Sequence, residues 1–142
     1  MFIKFLPVIM IVLSSLGYHI SQKSTPAALH PIVALIVTYV CASVISIVAF
    51  FVFVPKTHLF EAVKAANWSS YLLGFAVVVL ELGYLLTYRM GWNISAAGLI
   101  SNTLVALLLI PIGILLYKET MTLTAMSGVV LCILGLMLIT KK

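Results

Sequence analysis

Charge is what this sequence has least of. Only 8% of its 142 residues are charged, eight of them Lys or Arg and three acidic, where a soluble domain carries roughly 25%. With 64% of the residues hydrophobic, no soluble fold of this length could hide the apolar surface. The scarcity therefore excludes a soluble class and predicts a polytopic membrane protein. The net charge of +5 does not form a patch. Its basic residues stand singly between apolar runs, which fits membrane-edge anchors and excludes a nucleic-acid face. Cysteine is also scarce. Cys41 and Cys132 both fall inside apolar runs, with no CxxC and no His/Cys cluster at ligand spacing. Two small hydrophobes are the reading, with no metal and no cofactor expected. The spans hold no nucleophile–base pair, no phosphate loop and no second carboxylate, so enzymatic chemistry is not expected. Asn67-Trp68-Ser69 and Asn93-Ile94-Ser95 match the glycosylation sequon but lie tight against span ends, and are read as chance matches.

What is there is a series of apolar runs. The first extends from about Phe5 to Ile20, the second from Pro31 to about Val54, and the third from Ser70 to Tyr88. The fourth extends from Ile94 to Tyr117 and the fifth from Met121 to Thr140. At 1.5 Å per residue each crosses or nearly crosses a ~30 Å hydrocarbon core. The first has the length of a signal peptide, with Lys4 before it and Ser15-Leu16-Gly17 as a loose cleavage site; it is read as a retained span. Between the second and third spans, Leu59, Phe60 and Val63 alternate with Lys56, Glu61 and Lys64. That pattern predicts an amphipathic turn or short helix at the interface, with Trp68 as anchor.

The count of basic residues does not choose an orientation. Lys4, Lys56, Lys64 and Lys118 fall on one side of a five-span chain, and Lys23, Arg89, Lys141 and Lys142 on the other. With a four-against-four tally, either a few well-placed lysines still decide the orientation, or the chain inserts both ways and pairs antiparallel. Such a pair is an inverted repeat, the usual basis of alternating access.

The stretch "ELGYLLTYRMGWNISAAGLISNTLVALLLIPIGILLYKETMTLTAMSGVVLCILGLMLI" resembles the last three helices of an EamA-like repeat of the drug/metabolite transporter superfamily. The marks are the Gly-Trp-Asn joint before "ISAAGLIS", the Tyr117-Lys118-Glu119-Thr120 joint, and Gly128 and Gly135 in the final helix. "SSLGYHISQKSTPAALHPIVAL" resembles the first two helices less closely. The resemblance implies an all-α membrane protein in which residues 1–142 form one five-helix domain. It also implies that two copies pair antiparallel into ten helices, as the four-helix small multidrug resistance transporters pair. The sequence departs from the pattern in three places. A proline often found early in the fourth helix is replaced near Ala106, with Pro111 later. The arginine common in the second helix is absent, with Thr38 and Tyr39 in its region. The small multidrug resistance family carries its essential glutamate in the first helix, where this chain has Ser14, Ser15, Tyr18 and His19; here the glutamate is in the third.

That residue is Glu81. It lies ~12 Å along the helix axis from Arg89, and a charge so deep costs on the order of 3 kcal/mol. Helical spacing puts Gly74, Val78, Glu81, Tyr84 and Tyr88 on one side of the third span. A carboxylate beside two aromatic rings suits a cation. Tyr18 and His19 face inward from the first span, with Ser14 and Ser15 beside them. The fourth offers Ser95, Gly98, Ser101 and Asn102. Together these faces are expected to line one wet cavity. In the fifth span Ala125, Gly128, Cys132 and Gly135 form a stripe of small residues. It is expected either to meet a second copy or to pack on the chain's own fourth span.

The resemblance and Glu81 together imply a multi-pass secondary transporter of the cell (inner) membrane. It would move a small organic, cationic solute by proton-coupled alternating access, with Glu81, Tyr84, Tyr88, Tyr18, His19 and Asn102 as the substrate and proton site. Its partners would be the small-molecule substrate, the lipid bilayer and a second copy, with no nucleic acid. A flippase subunit for a lipid-linked sugar and a non-transporting scaffold are the alternatives.

Overall fold

The structure is a computed structural model that describes residues 5–54 and 59–140. Lys4, Lys56, Lys141 and Lys142, half of the orientation tally, lie outside the described residues. All regular structure among the described residues is helical, in six helices: α1 (Leu6–Ser24), α2 (Pro31–Phe53), α3 (Leu59–Lys64), α4 (Trp68–Arg89), α5 (Ile94–Tyr117) and α6 (Leu123–Thr140). Three of them, α2, α4 and α5, are long and apolar enough to cross a membrane. With 22 to 24 residues they extend about 33–36 Å. The chain is thus built as a helical membrane protein.

Local signals explain the helix ends. Pro7 stands in the first turn of α1 and Pro31 in that of α2, where a missing amide costs nothing. The His30 imidazole caps α2, Nδ1 accepting from the Ile32 amide at 3.3 Å. The Asn67 side chain caps α4, accepting from the Ser69 amide at 3.0 Å. That bond gives the Asn67-Trp68-Ser69 triplet a structural role. Thr122 Oγ1 caps α6, accepting from the Ala125 amide at 3.2 Å. The chain leaves α4 through Gly91 at φ +89° and leaves α5 through Lys118 at φ +54°, the left-handed turns that end helices. α1 continues four residues past the apolar run, through Ser21 to Ser24, because backbone hydrogen bonding does not stop where hydropathy does.

The described residues fall into two compact units, one up to Met90 and one from Gly91 onward. In the first, α4 packs against both α1 and α2. Its buried residues are Glu81, Leu85 and Tyr88, joined by Leu35 of α2. In the second, α5 packs against α6, with Ala97, Gly98 and Gly113 buried. Elsewhere the helices present Phe, Leu, Ile and Val outward, as lipid-facing surfaces do. Hydroxyls on these faces return to their own backbone: Thr38 Oγ1 donates to Ala34 O at 3.1 Å, Ser46 Oγ to Ala42 O at 2.8 Å, and Thr87 Oγ1 to Gly83 O at 2.8 Å. No hydroxyl proton of those three residues is left bare in hydrocarbon.

Candidate functional site

The site is organised around α4. Glu81, Leu85 and Tyr88 recur at spacings of four and three, so they line one stripe of that helix and are its buried positions. Glu81 is 9% exposed, the buried charged side chain of the described residues.

On one flank stands α1. Its Tyr18 and His19 meet Tyr84 and Tyr88 in an aromatic cluster. Tyr18 meets Tyr84 edge-on with ring centres 5.6 Å apart, and His19 meets Tyr84 at 4.9 Å. Tyr84 and Tyr88 stack at 6.1 Å. These separations are those of attractive aromatic pairs. The Tyr88 hydroxyl lies 2.8 Å from His19 Nδ1. Gln22, one turn beyond Tyr18, donates from Nε2 to the Tyr18 hydroxyl at 3.3 Å and to the backbone carbonyl of Glu81 at 3.4 Å. Lys23 Nζ stands 5.8 Å over the Tyr88 ring, within cation–π range. At the end of α4, Arg89 Nη2 donates to the carbonyls of Pro26 and Leu29, fastening the joint between α1 and α2 to α4.

On the other flank stands α2. Tyr39 comes within electrostatic reach of the Glu81 carboxyl. The two groups do not meet in hydrogen-bond geometry: Tyr39 Oη and Glu81 Oε2 are both buried and without a hydrogen-bond partner. An orphaned buried donor or acceptor costs about 1–3 kcal/mol, so a polar partner for each is what this place lacks.

The structure thus brings together five of the expected residues: Glu81, Tyr84, Tyr88, Tyr18 and His19. It does not bring the whole expected α4 face to one place. Gly74 and Val78 line a separate groove against α2, with Tyr39, Ser43 and Ser70. Ser14 is exposed and Ser15 half-buried. Asn102 belongs to the second unit, where it lines a groove of about 400 Å³ together with Ala106, Ala125, Gly128 and Cys132. The small-residue stripe of α6 therefore faces α5 of its own chain at Ala125, Gly128 and Cys132, with Gly135 half-buried beyond them. Ser101 Oγ donates to Ala97 O at 2.6 Å, back onto its own helix, and Ser95 is exposed.

Two residues of the site had no signal strong enough to single them out. Gln22 follows Tyr18 by four residues, so it shares its face, but lies beyond the apolar run. Tyr39 sits in a helix of nearly uniform hydropathy, where no periodicity marks the inner side. No metal-binding group of three His, Cys, Asp or Glu occurs among the described residues. No protein-family model, curated protein or solved structure matches the chain.

Chemically, the arrangement offers one carboxyl with an unused oxygen, a hydroxyl facing it, and a wall of aromatic rings. Such a carboxyl can hold a proton, or a cation, and not both.

Proposed function

We propose that the chain is a small multi-pass secondary transporter of the drug/metabolite kind, in the cell (inner) membrane. α1, α2, α4, α5 and α6 would be its five spans, and two copies would pair antiparallel. It exchanges protons for a small organic cation. The observation that carries this reading is the buried carboxyl of Glu81, its Oε2 without a hydrogen-bond partner, in an otherwise apolar helix, since intramembrane carboxyls are rare, costly and by default functional. The even distribution of basic residues across the loops supports the antiparallel pair. A cation entering the site stabilises the ionised carboxyl and releases its proton. A proton entering from the other side releases the cation. Alternation between the two states then converts a proton gradient into transport.

The test is uptake into liposomes with and without a pH gradient. Glu81→Gln keeps the shape and removes the titration. It should abolish the gradient-driven component and leave the helical content unchanged. Equal gradient-driven uptake by the parent and Glu81→Gln would make Glu81 structural. Movement of a lipid-linked sugar alone would assign the flippase role, and no movement of any solute the scaffold role.

A further inference from the structure

The aromatic wall and the groove lie on opposite flanks of Glu81, and only one of them is open. On the α1 flank the rings of Tyr18, His19, Tyr84 and Tyr88 are already in mutual contact. Tyr88 itself is 5% exposed and Leu85, on the same stripe of α4, 1%. That flank is packed. On the α2 flank a groove of about 470 Å³ lies between α2 and α4, lined by Tyr39, Ser43, Ser70, Leu73, Gly74 and Val77. This is the size range of small-molecule sites, roughly 300–1,000 Å³, with mostly apolar walls and a few polar groups. Val77 lies one helical turn before Glu81. The groove therefore borders the turn of α4 before the carboxyl, and Tyr39 belongs both to its lining and to the surroundings of Glu81.

We propose that the α2–α4 groove is where the apolar body of a cationic solute binds, and that Tyr39 is the gate between that groove and Glu81. The inference rests on the transport reading for the identity of the solute. The location rests on the groove, which Tyr39 lines, and on the two orphaned atoms of Tyr39 and Glu81. Tyr39 Oη can donate and Glu81 Oε2 can accept, and neither has a partner. A small rotation of the tyrosine joins them and shuts the groove. A cation arriving along the groove takes the place of the hydroxyl, and the carboxyl is then matched by charge. Tyr39 is thus a positioning residue that acts on Glu81, whereas the Tyr84 and Tyr88 rings are the wall behind it.

The experiment reads access to Glu81 directly, in the full chain reconstituted in lipid nanodiscs. Dicyclohexylcarbodiimide, an apolar reagent, adds to protonated carboxyls in membrane segments, and mass spectrometry of the Glu81 peptide gives its rate. A Cβ added at Gly74, which lines the groove, meets nothing within 4 Å, so Gly74→Phe has an open start into the groove. It should slow labelling of Glu81 at least tenfold, and Ser43→Phe, from the opposite wall, should do the same. Gly83→Phe also points into open space but lies outside the groove, and should leave the rate unchanged. Tyr39→Ala should raise the rate about tenfold. Labelling that is unaffected by Gly74→Phe and Ser43→Phe, or slowed equally by Gly83→Phe, overturns the groove assignment. A rate unchanged in Tyr39→Ala overturns the gate. In a separate arm, benzyltrimethylammonium should protect Glu81 in the parent and not in Gly74→Phe. Absence of protection in the parent, with the groove variants still slow, overturns the cation reading and leaves the groove as the route to the carboxyl.

Discussion

The Tyr88 hydroxyl of α4 and His19 Nδ1 of α1 are 2.8 Å apart. They join two helices through side chains that belong to one aromatic cluster with Tyr18 and Tyr84. Tyr88 is 5% exposed, so its hydroxyl has little access to solvent. Tyr88→Phe keeps the ring and removes the hydroxyl. It should lower stability by about 1 kcal/mol, the net worth of one such bond. In the His19→Ala background the same change should cost little, and a double-mutant cycle in detergent checks the coupling.

If Glu81 carries transport, it does so at a cost in stability. Its Oε2 is buried without a partner, and Glu81→Leu removes that orphan from a helix of hydrophobic neighbours. The variant should be more stable by about 1–3 kcal/mol while losing gradient-driven uptake. Thermal melting in detergent tests it. A lower melting temperature would show that the carboxyl holds the helices together.

Lys118 closes α5 at φ +54°, with its own amide and that of Glu119 both reaching back to Gly113 O. A side chain in the left-handed region costs about 1–2 kcal/mol, from which glycine is exempt. Lys118→Gly should therefore raise stability by about 1 kcal/mol, and Lys118→Val should lower it. The two melting temperatures should move in opposite directions.

Orientation gives a further test. Reporter fusions at the C-terminus should read from both sides of the membrane if the proposed five spans hold, since they divide the basic residues four against four. Adding two lysines to one set of loops should drive the population one way and lower uptake. A single orientation in the parent chain would remove the antiparallel pair from the proposal.

The α6 stripe can be tested at Gly128, where an added Cβ meets nothing within 4 Å. Gly128→Leu should enter the α5–α6 groove and leave the chain helical. If a second copy also uses that groove, crosslinking should show the dimer dissociating. A dimer that persists places its interface elsewhere.

The helices themselves were legible in the sequence to within a few residues. α5 begins at Ile94 and ends at Tyr117, as its apolar run does. α2 begins at Pro31, as its run does. The short amphipathic pattern before Trp68 is α3. So was the inward stripe of Glu81 and Tyr88, because a carboxyl in an apolar helix has few places to face. Helix partnering was not legible. In a soluble protein the buried face is the apolar one, but in lipid both faces are apolar and nothing marks the contact side. Tyr39 and Asn102 show the difference. Each is a polar residue in an apolar helix, one facing Glu81 and the other a groove against α6. Only the packing tells them apart.

α2 keeps its own polar accounts: Thr38 and Ser46 give their protons to carbonyls one turn back in the same helix. A rod that satisfies these two hydroxyls internally makes no hydrogen bond through them to its neighbour. Displacing it against α4 strains dispersion contacts, each about 0.1–0.2 kcal/mol, and leaves those two bonds intact. The resistance to such a shift is spread over many weak contacts, so it yields gradually, without the threshold that rupture of a strong bond would impose. Motions of that kind belong to the microsecond to millisecond range of packed helices. The residue that would ride on this slow, soft coordinate is Tyr39.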